Sequence, residues 1–251
     1  MKLYAKAAAL VCLLASSQVA AQPALPSEPR DTDFQFALLK YPGDWNPRPH
    51  GLPRLAWEVR RRTSIAVDLA TAQVDAEGEE LFNYPFIVWQ GTRSFAGLSE
   101  TAINNLRHHL SSGGTLLIDA SDGGEGGGFE QAVRRELRRI FADHPLERVA
   151  PDHVIYKSFY LVDRHGGRTP IHPYLEGIFV EGRLAVIFSS NDLAGAMARD
   201  EYGEWDYDVG IGGDAVREVS FRLGVNMVMY SLCLDYKEDQ VHIPFILERR
   251  R

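Results

Sequence analysis

Residues 81–139 constrain the fold more than any other stretch of the chain. They read as a strand at Phe86-Ile-Val-Trp89, a glycine at Gly91, a helix opening at Ser99, a second strand at Thr115-Leu-Leu-Ile118, the loop Asp119-Ala-Ser-Asp-Gly-Gly-Glu-Gly-Gly-Gly128 and a further helix. Both strands are short apolar runs, the kind buried on both faces of a parallel sheet. In the first helix Ile103, Leu106 and Leu110 recur at three- and four-residue steps, and Gly113-Gly114 stops it. In the second, Phe129, Val133, Leu137 and Ile140 do the same, which turns Arg134, Arg135, Arg138 and Arg139 outward as a solvated basic face. Strand alternating with helix predicts an α/β, doubly wound sheet, whose ligands bind beyond the carboxyl ends of its strands.

The flanking segments extend the pattern. Phe34-Gln-Phe-Ala-Leu-Leu-Lys-Tyr41 predicts a buried strand ended by Pro42 and Gly43, residues 52–62 an amphipathic helix, and residues 64–69 a second strand. Residues 154–162 and 177–189 are β-rich runs separated by a turn at His165-Gly166-Gly167. A terminal helix over 215–234 is expected to bury Val219, Leu223, Met227, Val228 and Tyr230, with Asn226 as a satisfied buried amide among them.

At the start of the chain, Lys2 and Lys6 precede an apolar run over residues 7–15 and then Ser16-Ser-Gln-Val-Ala-Ala21. This is the three-part layout of a secretory signal, with cleavage expected after Ala21 and a periplasmic or secreted location. The run is much shorter than the ~20 apolar residues that span a bilayer. Residues 22–33, with Pro23, Pro26 and Pro29, read as a linker to one α/β domain over 34–236, followed by a tail over 237–251. Loss of residues 1–21 removes two basic residues and no acid, leaving 25 basic against 34 acidic, a net charge of −9. Such an acidic chain is a poor nucleic-acid binder. It would also lose Cys12, so Cys233 has no partner for an internal disulfide and reads as a buried thiol.

Chemistry is expected where the strands end. Asp119, Ser121 and Asp122 share one loop, Gly91 and Thr92 follow the preceding strand, and Asn191-Asp192 follows the strand Leu184-Ala-Val-Ile-Phe188. The last pair equally suits a helix N-cap. The glycine loop lacks a phosphate-loop lysine and the dinucleotide spacing, so no nucleotide cofactor is expected. Its acids also lack the calcium-loop spacing that ends in a bidentate glutamate, so neither is a metal. A hydrolase built on Asp119, Ser121 or Asp122 would need a base. Of His108, His109, His144, His153 and His172, the candidate is His153, in a polar loop; His108 and His109 fall on the surface of a helix.

Taken together, Phe36-Ala-Leu-Leu-Lys-Tyr41, Leu81-Phe-Asn-Tyr-Pro-Phe86, Gly91 with Phe95 and Leu98, Leu106-Arg107 with Gly113-Gly114 and Asp119, Phe129 with Arg134-Arg135, Pro151-Asp-His153 and Phe221-Arg-Leu-Gly-Val-Asn226 carry a resemblance. The chain resembles the bacterial family named domain of unknown function 4159, whose fold is similar to the class I glutamine amidotransferase-like superfamily. The resemblance implies a flavodoxin-like three-layer sandwich with a mostly parallel central sheet. It also implies that Asp119 to Asp122 stand where glutamine amidotransferases carry a nucleophilic cysteine. No cysteine is there, and a glutaminase needs a thiolate for its acyl intermediate, so that activity is excluded. Ala120 and Thr92 stand where relatives often show a second acid and a histidine. Some relatives look like parts of membrane-associated systems with BatA-type proteins, which would suit a binding module.

The expectation is therefore an exported, non-catalytic or degenerate module that binds a small polar ligand or a protein partner through Gly91, Thr92, Asp119, Ser121, Asp122, Asn191 and Asp192. The alternative is a hydrolase or sugar-processing enzyme using Asp119, Ser121 or Asp122 with His153.

Overall fold

The computed structural model describes residues 33–123 and 128–232. The expected signal, its linker, Glu125 of the glycine loop, Cys233 and the tail lie outside the described residues.

Seven strands form one mixed sheet in the order β2-β1-β3-β4-β7-β6-β5. They are β1 (Ala37–Lys40), β2 (Ala72–Asp75), β3 (Phe86–Gly91), β4 (Thr115–Ala120), β5 (Glu147–Arg148), β6 (Glu176–Val180) and β7 (Arg183–Ser189). The first four and β7 run parallel, whereas β6 and β5 are antiparallel additions at one edge. Every residue of β3 and β4 is buried, as their unbroken apolar runs require of strands covered on both faces. The order 2-1-3-4 is that of flavodoxin-like sheets, and β7 takes the place of their fifth strand.

The helices are α1 (Gly51–Arg62), α2 (Glu100–Ser111), α3 (Gly128–Ile140), α4 (Leu193–Met197) and α5 (Gly213–Leu232). α2 and α3 cover one face of the sheet, and α1, α4 and α5 the other, giving a three-layer α/β sandwich of the flavodoxin-like type. On the first face Trp89 is fully buried among Tyr41, Phe95 and Phe129, with ring centroids 5.7–6.3 Å from its own. Truncating such a residue typically costs about 3–5 kcal/mol. Helix boundaries follow local chemistry. The Ser99 side chain accepts the amide of Ala102 to start α2, and Gly113, at φ 106°, turns the chain away after its end.

Four expectations change. The second strand is Ala72–Asp75, while within 64–69 only Val67 bridges, to Phe34. Ala-Gln-Val-Asp carries little apolar signal because an edge strand buries only one residue here, Val74. Residues 154–162 are not a strand. His153 accepts the amide of Ile155 to start a 3-10 turn over Val154–Tyr156, and the Asn226 side-chain oxygen holds the amides of Phe159 and Tyr160. Residues 177–189 are a hairpin, whose corner Glu181-Gly182 has φ of 52° and 79°, the positive pair a tight primed turn demands. In α5, Val219 is only half-buried, and Phe221 and Val225 fill the core in its stead.

The arginine face of α3 is likewise more than solvated. Arg135 and Arg139 clamp Glu136, which is fully buried and also accepts the amide of Leu98. Arg134 bridges Glu130 and Glu176. α1 repeats the device, with buried Glu58 held by Arg54, Arg61 and Arg62. Periodicity sorted the arginines correctly onto the outer flank but could not show the buried acids they neutralise.

Candidate functional site

The carboxyl ends of β3, β4 and β7 bring Gln90, Asp119 and Ser189 into one row, because these residues are register partners. Beyond that row lie the loops after β1, β3, β4 and β7, which hold most of the sequence candidates. At its centre is Asp192. Its backbone is left-handed, φ 55° and ψ 62°, a conformation that aspartate tolerates and that recurs at functional positions. Its side chain is fully buried. Oδ1 accepts the Ser121 hydroxyl at 2.8 Å, the Gly195 amide at 3.0 Å and Arg48 Nε at 3.0 Å. Oδ2 accepts Arg48 Nη2 at 2.8 Å and Arg168 Nε. Burial alone would raise its pKa, but bonds and charge from Arg48, bonds from Arg168 and the Ser121 hydroxyl hold it below the ordinary carboxylate value.

Asp119 differs. It is buried, and its two oxygens accept the amides of Leu193 and Ala194, each at 2.8 Å, at the start of α4. Burial, and then the negative charge of Asp192, push its pKa up to about 7 against the pull of those amides and of Arg48. Asp119 was expected to face a ligand, but its carboxylate is spent on anchoring α4, a five-residue helix too short to leave a periodic signal. Asp122 does the same for α3, accepting the amides of Phe129 and Glu130 at 3.0 and 3.2 Å. Asn191 is saturated too. Its Oδ1 accepts Ile171 and His172 amides, and its Nδ2 donates to the carbonyls of Gly166 and His172, which fastens the 166–172 loop. For Asp192, the N-cap reading is observed, with the larger role of arginine hub added to it.

Gly91 is a packing position. A Cβ there would come within 2.2 Å of the Phe129 ring and 2.4 Å of the Tyr41 hydroxyl. Its carbonyl accepts the Ser121 amide at 2.9 Å, which ties β3 to the end of β4. The Thr92 hydroxyl donates to Asp44 Oδ2, linking the loops after β1 and β3 across the point where the strand order reverses.

His153 does not join this group. Its ring packs against Phe179 and Tyr230, with centroids 5.7 and 5.5 Å away, and Phe179 pairs with Leu184 near the start of β7. Asp119 pairs with Ser189, five residues further along that strand. At the usual rise this is about 16 Å, far beyond the reach of a general base through one water. His109, expected on a helix surface, is buried at 5% exposure, because it packs onto Gly114 under the turn that ends α2.

Arg48, Arg168 and Tyr207 were not among the sequence candidates, yet they lie at this edge. The Arg48 guanidinium lies 4.3 Å from the Tyr207 ring centroid, and Arg168 lies 5.9 Å from it. Beside them His50 Nδ1 pairs with Asp206 at 2.7 Å. Arg48 and Asp192 are 144 residues apart, and the only local hint is that Arg48 stands between Pro47 and Pro49, which restrict its backbone. Gln90 is buried, and among the described residues neither polar atom of its side chain has a hydrogen-bond partner. No group of three or more metal-ligating side chains occurs among the described residues.

The fold and this edge define an α/β three-layer sandwich whose polar centre is an aspartate–arginine–serine cluster beyond the strand ends. The profile of the family described as Domain of unknown function (DUF4159) matches residues 35–232, and the chain belongs to that family. No curated protein matches the chain. Among the described residues no helix is long and apolar enough to cross a membrane.

Proposed function

We propose that this protein is an exported, enzymatically degenerate relative of the glutamine amidotransferase-like domains that binds a small polar ligand at the edge formed by the loops after β1, β3, β4 and β7. The observation that carries this reading is the end of β4. Where an amidotransferase would hold its thiolate, Asp119-Ala120-Ser121 commits a carboxylate to two backbone amides and a hydroxyl to Asp192. Asp192 is a weak base, since the guanidiniums of Arg48 and Arg168 keep it ionised, so it does not activate Ser121. Support for binding comes from the rigid, polar framing of the same edge and from its position at a strand-order reversal. Support for export comes from Lys2, Lys6 and the apolar run that follows them. Resemblance to a family some of whose members look like parts of BatA-type systems makes a protein partner the second arm of the reading.

The test is a thermal-shift screen of the purified protein against sugars, amino acids and small organic acids, run beside hydrolase assays on ester and glycoside substrates. Saturable stabilisation without turnover is expected. Hydrolysis that disappears in Ser121→Ala would overturn the non-catalytic reading. Fractionation of the producing cells, with the N-terminus of the recovered protein sequenced, tests export and cleavage after Ala21.

A further inference from the structure

The two arginines at Asp192 are not equivalent, and the difference points to a class of ligand. Arg48 is consumed by the fold. Its Nε and Nη2 bond Asp192, Nη2 also reaches the Ser121 carbonyl at 3.4 Å, Nη1 donates to the Pro47 carbonyl at 3.3 Å, and its plane lies over Tyr207. Its side chain is 10% exposed. Arg168 bonds Asp192 through Nε alone, and its side chain is 27% exposed. Asp192 has no capacity left for the remainder of that guanidinium. Its two oxygens already serve Arg48, Ser121 and Gly195 besides Arg168 Nε. Asp206, on the Tyr207 side, pairs with His50.

The backbone under Arg168 is held on both sides. Its amide donates to the Asp192 carbonyl at 3.0 Å, its carbonyl accepts the Gly210 amide at 3.3 Å, and the next residue, Thr169, donates to the Asn191 carbonyl. Asn191 fastens the rest of the loop from inside, and Gly167, at φ 126°, passes so close to Asn191 that a Cβ would lie 2.3 Å from its carbonyl oxygen. A long side chain ordinarily loses much rotamer freedom when it binds. Here the Nε bond to Asp192 already restrains the side chain, and among the described residues Nη1 and Nη2 make no hydrogen bond. A guanidinium presents those two donors in a planar fork that matches two oxygens of one oxyanion. Two guanidiniums face the one carboxylate of Asp192.

We infer that the Nη1–Nη2 fork of Arg168, oriented by Asp192 and flanked by Arg48, is an oxyanion-binding site that takes the carboxylate or phosphate group of a small ligand. This rests on the binding reading above and names its ligand class.

The test uses the full chain and measures affinity by calorimetry and thermal shift with inorganic phosphate, with succinate and with neutral glucose, sodium chloride holding ionic strength constant. Phosphate or succinate is expected to bind saturably, and the stronger of the two identifies a tetrahedral or a planar group. Arg168→Gln should weaken that binding at least tenfold. Arg168→Lys, which keeps an ammonium for Asp192 but loses the fork, should remain folded by circular dichroism and weaken it similarly. Unchanged anion affinity in either folded variant overturns the inference. Saturable glucose binding that ignores Arg168→Gln, with no anion bound, overturns it while leaving a polar-ligand module standing. If neither class binds, both readings fall.

Discussion

Ser121 donates its hydroxyl proton to Asp192 Oδ1 at 2.8 Å across 71 residues of sequence, and the same carboxylate holds two arginines. The direction of that bond matters for function. A hydroxyl that donates to an ionised carboxylate becomes a nucleophile only if the carboxylate can take its proton, and two guanidiniums make that proton unwelcome. The bond therefore fixes the ends of β4 and β7 to each other.

Replacing the hub should be costly. Asp192→Asn keeps a side chain that tolerates φ 55° but removes the charge facing Arg48 and Arg168. Breaking a buried pair from one side costs about 3–5 kcal/mol, so the urea midpoint should drop by that equivalent with an unchanged slope. A midpoint within experimental error of the wild type would show that the arginines find other partners.

Asp119→Ala should destabilise rather than simply empty a binding site. It orphans two buried amides, Leu193 and Ala194, each of which costs about 1–3 kcal/mol when unpaired. Asp119→Asn, with one oxygen acceptor left, should fall between alanine and wild type. Equal stability of all three in equilibrium denaturation would contradict the anchoring role.

Gly91→Ala tests whether that glycine serves packing. The added methyl meets the Phe129 ring and the Tyr41 hydroxyl, and overpacking of this kind typically costs about 1–3 kcal/mol. Pairing it with Phe129→Leu should recover part of the loss in a double-mutant cycle, whereas additive losses would speak against the contact.

Two buried groups should give opposing pH dependences. Burial, then Arg183 and His108, lower the pKa of His109 from 6.5 to about 4. Between those values the unfolded chain binds a proton that the folded chain refuses, so stability from this group falls as pH drops from 6.5 to 4, by at most about 3 kcal/mol. For Asp119, raised from 3.8 to about 7, the folded chain keeps a proton that the unfolded chain has lost, so its contribution falls as pH rises through that window. Denaturation at pH 4.5 and 7 should thus show His109→Gln shifted toward relatively greater acid stability, and Asp119→Asn the opposite. Parallel pH profiles for both variants and wild type would count against these assignments.

What could be read along the chain was whatever repeats locally. The apolar runs of β3 and β4, the three-four spacing of α1, α2, α3 and α5, and the Ser99 and Gly113 signals each depend on neighbours within a few residues, so they predicted elements and the α/β class. Short or one-sided elements, β2, β5 and α4, carried no such repeat and emerged only from pairing and packing. The candidate site divided along the same line. Composition and position marked Asp119, Ser121, Asp122, Asn191 and Asp192 as a polar group at strand ends, which the fold does gather at one edge. Whether each faces a ligand or the backbone depends on bonds spanning tens of residues, as when Asp119 reaches Leu193 and Asp192 reaches Arg48. No sequence period encodes such contacts. The tertiary structure alone turned the aspartates inward as anchors and left Arg168, unremarked in the sequence, with donors to spare.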